Sequence, residues 1–263
     1  LFNQDLILEM FFFLLGSIFG SFANVVIYRL PAGQSLLFPR SHCLKCQKLI
    51  PWYHNIPIVA WLRLKGKCAN CGESFSWRYP LVEFLMAALF CGAYILVGWN
   101  WTLVEYLIFI FGLVTVSFID LDHMILPDVF TLGGSAVALL GAWFNPERNF
   151  LDSLFGFLLG GCFLWTIASF YQRVRKEEGM GGGDIKLIAW IGATLGWKAI
   201  PFVIISSSLV GSLVGLFVAV ILKKGLRVAI PFGPYLALGG VLYIFGGDVI
   251  GQWYLHLFIP GLD

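Results

Sequence analysis

The chain has 263 residues, 59% of them hydrophobic and only 12% charged, with a net charge of +2. A soluble domain usually carries about 25% charged residues, so the composition excludes an ordinary soluble protein. The apolar runs have helix length and do not alternate, which excludes an outer-membrane barrel. An all-α polytopic membrane protein with about eight spans is expected.

Residues 6–27 predict the first transmembrane helix. The run is too long for the core of a secretory signal, and no small-residue cleavage site follows it. Gly16, Ser17, Gly20 and Ser21 form overlapping small-xxx-small pairs, the pattern by which helices pack closely in lipid.

Residues 29–80 form the one substantial polar insertion. Its stretch 29–78 holds Arg29, Arg40, Lys45, Lys48, Arg63, Lys65, Lys67 and Arg78 against a single acid, Glu73. The positive-inside rule puts this segment in the cytoplasm. Its charge is read as topology rather than as a nucleic-acid face. Within it, Cys43-Leu44-Lys45-Cys46 and Cys68-Ala69-Asn70-Cys71 make two C-x-x-C turns. Two such turns at this separation predict a closed tetrahedral zinc shell of four thiolates, structural rather than catalytic. A reducing compartment disfavours the alternative of two disulfides. A segment this short has little core, so metal binding would supply folding energy.

Residues 81–97 and 103–119 predict the next two spans, joined by the turn Gly98-Trp99-Asn100-Trp101 on the outer face. The third span runs into Asp120-Leu121-Asp122-His123, then Leu126-Pro127-Asp128. Residues 129–144 and 153–171 cross again, and the charged stretch 173–178 returns to the cytoplasm. The run Gly179-Met180-Gly181-Gly182-Gly183-Asp184-Ile185-Lys186 then delivers a carboxylate to a short apolar stretch ending near Trp197. Residues 200–222 predict the seventh span, with Lys223, Lys224 and Arg227 inside. The last helix starts near Pro231-Phe232-Gly233-Pro234 and runs toward Phe258.

This topology puts Asp120 and Asp184 at one membrane depth, on the cytoplasmic side. Two converging carboxylates, one protonated and one ionised, can activate water and protonate a leaving group without a metal. Aspartates at helix starts are often only caps, and Asp128, after Pro127, fits that role. The glycine run makes an ordinary helix entry less apt for Asp184. The chemistry alone does not choose among Asp120, Asp122 and Asp128 as its partner. Lys186 either tunes Asp184 or snorkels to the interface.

Taken in order, these segments resemble the bacterial type IV prepilin peptidases. The resemblance is carried by Gly20 through Pro31, the two cysteine turns flanking Trp52-Tyr53-His54-Asn55-Ile56-Pro57, and Arg78-Tyr79-Pro80-Leu81-Val82-Glu83. It continues through Phe118-Ile119-Asp120 to Asp128, the G-x-G-D motif Gly181-Gly182-Gly183-Asp184, and Ile230-Pro231-Phe232-Gly233-Pro234. It implies catalytic Asp120 and Asp184, with Asp122, Asp128, Gly181, Gly183 and Lys186 accessory. It also implies three regions: a first helix (1–28), a cytoplasmic Cys₄ zinc domain tied to methyl transfer (29–80), and a transmembrane aspartic protease domain (81–263).

The implied substrates are prepilins or pseudopilins, cut after a glycine at the cytoplasmic face of the inner membrane. The new N-terminus would be methylated from S-adenosylmethionine, and pilus or type II secretion components would be partners. The glycine run does not fit G-x-G-x-x-G, and no strand precedes it. Methyl transfer therefore rests on the resemblance, which names no donor-binding residues. A methyltransferase with structural aspartates and a non-enzymatic scaffold are the competing readings.

Overall fold

A computed structural model describes residues 2–176, 180–222, 230–247 and 249. The start of the glycine run at Gly179, the acids Glu177 and Glu178, the basic residues Lys223, Lys224 and Arg227, and the expected course of the last helix to Phe258 lie outside the described residues. Among those described, the fold is helical with no strand. Two isolated bridges, His42 with Leu49 and Lys67 with Ser74, close the two cysteine turns.

The helices are α1 (Phe2–Arg29), α2 (Val59–Arg63), α3 (Arg78–Val97), α4 (Trp101–His123), α5 (Asp128–Phe144), α6 (Phe150–Arg175), α7 (Gly182–Leu195), α8 (Ala199–Leu222) and α9 (Gly233–Leu242). Each of the eight apolar segments expected from the sequence begins or lies within one of them. Among the described residues, five helices, α1, α3, α4, α6 and α8, are long and apolar enough to cross a membrane, as a multi-pass membrane protein requires. The others are shorter, with 17 residues in α5, 14 in α7 and 10 in α9. The chain divides into two compact units, Leu1–Thr115 and Val116–Asp263.

In the first unit α1 packs along α3. A Cβ on Gly16 would lie 2.6 Å from the Met86 carbonyl oxygen, and one on Gly20 would lie 2.6 Å from Glu83 Cα. The small-residue pattern of the first helix is therefore a backbone contact, made because lipid offers helices no hydrophobic reason to associate. At the turn into α4, Gly98 takes φ 70°. The Asn100 side chain there donates to the Val97 oxygen (3.1 Å) and accepts the Leu103 N–H (2.8 Å), so one residue closes α3 and caps α4.

In the second unit α7 is the centre. Every residue from Leu187 to Thr194 is buried, so this helix is apolar all round and is covered by protein. Glycines on its neighbours make room for it. Gly160 of α6 faces the Ile188 oxygen, Gly134 of α5 faces the Trp190 ring, and Gly156 of α6 meets Gly192 backbone to backbone. A helix wrapped in this way need not span the bilayer, which accounts for its short length.

Candidate functional site

Asp120 lies in the last turn of α4 rather than just beyond its end. The helix continues three residues past it to His123, and the Met124 N–H bonds the Asp120 carbonyl oxygen at 2.9 Å. Met124 then takes φ 54°, in the left-handed region, and turns the chain into Leu126-Pro127. Asp184 lies in the first turn of α7, with Gly181 as the preceding cap residue, extended at φ −68° and ψ 139°. Its carboxylate lies against Gly181, where a Cβ would stand 3.5 Å from Oδ2.

Both aspartates are enclosed, Asp120 at 5% and Asp184 at 9% exposure. Leu126 stands against both Gly233, which touches Asp120, and Gly183, which precedes Asp184, so the two carboxyl-bearing segments meet there. Two carboxylates in one desolvated place are costly as structure. They are economical as chemistry, because a buried pair resists double ionisation and so presents an acid beside a base.

Two further residues build the site. The Gly233 N–H, at the start of α9, donates to Asp120 Oδ2 at 3.0 Å. A Cβ on Gly233 would come within 2.6 Å of that oxygen and 3.1 Å of Leu126 Cδ2. On the other side of Leu126, a Cβ on Gly183 would lie 2.9 Å from its Cβ. The Leu126 side chain is thus held between Gly183 and Gly233, joining the two aspartate-bearing segments. Leu126 and Gly233 stand within motifs of the sequence, but the residues around them assign neither a role. The signal was present in Pro231-Phe232-Gly233-Pro234, since a glycine between prolines marks a backbone that must approach something closely.

The remaining sequence candidates divide. Asp122 is exposed, as expected two residues from a buried helical position. Asp128 is the first residue of α5, and Pro127, extended at φ −62° and ψ 133°, occupies the cap position foreseen for Asp128. Its carboxylate instead pairs with Lys186 Nζ at 2.7 Å. Lys186 therefore ties the start of α7 to the start of α5. With side chains 39% and 60% exposed, this pair is worth no more than about 1 kcal/mol.

The four cysteines Cys43, Cys46, Cys68 and Cys71 form the second centre, and their sulfurs all lie within 4.8 Å of one another. Cys43 Sγ and Cys71 Sγ are 3.7 Å apart. A disulfide needs about 2.0 Å. A tetrahedral shell with metal–sulfur bonds of about 2.3 Å needs sulfurs about 3.8 Å apart, so the cluster could hold a metal ion.

The two turns are copies of one another. Cys43 N–H bonds the Lys48 oxygen and Cys68 N–H bonds the Glu73 oxygen. Each second cysteine is followed by a left-handed residue, Gln47 at φ 57° and Gly72 at φ 72°. Lys45 pairs with Glu73, and Lys48 Nζ donates to Asn70 Oδ1 at 2.8 Å, joining one turn to the other. Backbone N–H groups of Cys71 and Asn70 bring the Cys68 thiol down to about 7. The Glu73 N–H favours the Cys71 thiolate, yet burial and the three neighbouring sulfurs push Cys71 up to about 12. Four thiols this close cannot all ionise without a cation among them.

Comparison with known proteins covers both centres. Residues 14–97 match the bacterial peptidase A24 N-terminal domain, and residues 107–216 match the type IV leader peptidase family. The prepilin leader peptidase/N-methyltransferase of Aeromonas hydrophila is 37% identical over 94% of this chain and 93% of its own. The proteins of the same name from Pseudomonas aeruginosa (37% identical, 92% of each chain) and Legionella pneumophila (35%, 90% of each) are similar to the same extent. No solved structure matches the chain.

Proposed function

Because the chain belongs to the type IV leader peptidase family, we propose that it is a membrane aspartic endopeptidase and N-methyltransferase acting on prepilins or pseudopilins. The observation that carries this reading is that Asp120 and Asp184 are both buried within one unit, on segments that meet at Leu126. One carboxylate takes a proton from water as its oxygen adds to the scissile carbonyl. The other, protonated, gives its proton to the leaving amine as the carbon–nitrogen bond breaks.

Gly233, Gly181 and Gly183 serve this chemistry by what they leave out. Their backbones stand against Asp120, Leu126 and Asp184 where a side chain at 233 or 183 would collide, and so let the carboxyl-bearing segments close on one another. Asp122, Asp128 and Lys186 take accessory roles around them. In this reading residues 1–28 are an anchoring helix, 29–80 a cytoplasmic zinc domain associated with methyl transfer, and 81–263 the protease. The metal is zinc, favoured by an all-thiolate tetrahedral shell, and the methyl donor is S-adenosylmethionine. The basic segment 29–78 supports a cytoplasmic position for the zinc domain in the bacterial inner membrane. Pilus or type II secretion components are the expected neighbours.

The test is a reaction of purified protein with a prepilin and S-adenosylmethionine, read by intact mass. Loss of the leader with gain of one methyl group is expected. A substrate of unchanged mass would refute the enzyme, and leader loss without a methyl group would remove the second activity.

Gly233→Ala gives a narrower expectation. The new methyl group cannot share space with Asp120 Oδ2, so the carboxylate turns away and forfeits its backbone donor. A displacement of about 1 Å at a reacting group costs roughly 10²-fold. The rate of leader removal should fall by about that factor, with little change in the substrate concentration at half-saturation. An undiminished rate would mean that the Gly233 contact does not position Asp120.

A further inference from the structure

Glu83 is a buried carboxyl that peptide cleavage leaves without a task. It lies near the start of α3, is 8% exposed, and lines a cavity of about 1400 Å³ in the Leu1–Thr115 unit. Its Oε2 accepts the Ile58 N–H at 2.6 Å. A carboxylate has about four acceptor sites, so this donor leaves capacity for others.

The backbone that supplies the Ile58 donor is strained. Ile58 has φ 62° and ψ −55°, and the Val59 N–H bonds the Pro57 oxygen at 2.6 Å. This is the positive-φ γ-turn, which is rare, and a β-branched residue enters it only when its surroundings compel it. Strain of this kind gathers where a protein holds a group ready for a ligand. Here it aims one N–H at one carboxyl on a cavity wall.

The rest of that wall suits a particular ligand chemistry. Trp61, Tyr79 and His54 bring rings to it, Asn55 brings an amide, and Arg29, Lys45, Lys48 and Lys67 bring positive charge. Asn24, also on the wall, donates to the Tyr79 oxygen at 3.1 Å and so fixes the start of α3 beside Glu83. A carboxyl group, aromatic faces and basic side chains on one wall suit a ligand that carries a positive centre, a carboxylate and a flat heterocycle together. A cavity in the other unit, about 410 Å³, is walled by Phe155, Leu158, Leu159, Cys162 and Trp197 and offers no charged side chain.

We infer that the cavity around Glu83 is the binding site of the methyl donor, a sulfonium nucleoside, with Glu83 facing its positive charge and the rings taking its purine. The inference rests on the methyl transfer proposed above. When bound there, the donor supplies an electrophilic methyl group. This chain's part is to bind and orient it.

The experiment measures binding and does not depend on turnover. Labelled S-adenosylmethionine is titrated against wild type and Glu83→Gln by equilibrium dialysis. Glutamine keeps the acceptor for the Ile58 N–H and removes the charge. A loss of about tenfold or more in affinity is expected, as for removal of one partner from a desolvated charge pair. Ultraviolet cross-linking of the donor to wild type, mapped by peptide mass, guards against a variant that folds poorly. The label is expected on residues 54–61 or on Tyr79. Unchanged affinity in Glu83→Gln, or label found only beyond residue 115, overturns the site while wild-type methylation keeps the proposed function standing. A wild type that neither binds the donor nor methylates overturns both.

Discussion

Asp184→Asn and Asp120→Asn should each abolish leader removal, by at least about 10³-fold, while leaving a folded membrane protein. Asparagine fills nearly the same volume and its oxygen can still accept the Gly233 N–H at position 120. It cannot take or give the proton that acid–base catalysis moves, and that movement is worth about 10²–10⁴-fold for each group. Because the two groups act as one unit, the double variant should be no slower than either single variant. Stability should move the other way. Two enclosed carboxylates repel and are poorly solvated, so neutralising one should leave the thermal midpoint in detergent unchanged or higher. A structural aspartate would give the opposite pattern, with lower stability and a merely proportional loss of rate. Intact mass of the substrate and a thermal melt of each variant separate the two cases, and a variant cleaving at the wild-type rate would end the assignment.

The sequence disclosed the parts of this molecule that repeat or that punctuate. The cysteine turns were legible because metal coordination imposes a spacing, and their sulfurs do come together. The helices were legible because lipid demands long apolar runs. The Gly16 and Gly20 contact was legible from its four-residue period.

What the sequence withheld is long-range or depends on geometry at one bond. No periodicity reports that the Gly233 N–H reaches Asp120, since the two meet only after five helices have packed. The central burial of α7 was hidden because an apolar stretch of 14 residues reads alike as a short span or a core helix. The cap expected at Asp128 went to Pro127, because the fixed φ of proline already sets the helix entry and frees the carboxylate for Lys186. The γ-turn at Ile58 has no sequence signal at all, because isoleucine is the residue least suited to it.

Removing the metal should have the other large effect, and it should fall on a different activity. Across residues 30–77 only Cys43, Ala60 and Gly66 are buried, which is too little apolar surface to order a chain segment of that length. A structural zinc supplies about 10–16 kcal/mol of apparent binding free energy. That is comparable with the entire stability of an ordinary domain, about 5–15 kcal/mol. A zinc ion held by the four cysteines would therefore decide whether the segment folds, and the Lys45–Glu73 and Lys48–Asn70 links, both exposed, cannot replace it.

Wild type should carry one zinc per chain by elemental analysis. Cys68→Ser, or prolonged treatment with a strong chelator, should remove it and open residues 41–75 to protease. Methyl transfer should then fall to background, because the cavity around Glu83 takes much of its wall from the same segment. Leader cleavage should persist, because Asp120, Asp184, Leu126 and Gly233 all belong to the Val116–Asp263 unit. Equal loss of both activities would show that cleavage also depends on the cysteine-bearing segment, and a metal-free wild type with full methyl transfer would reduce the four cysteines to free thiols.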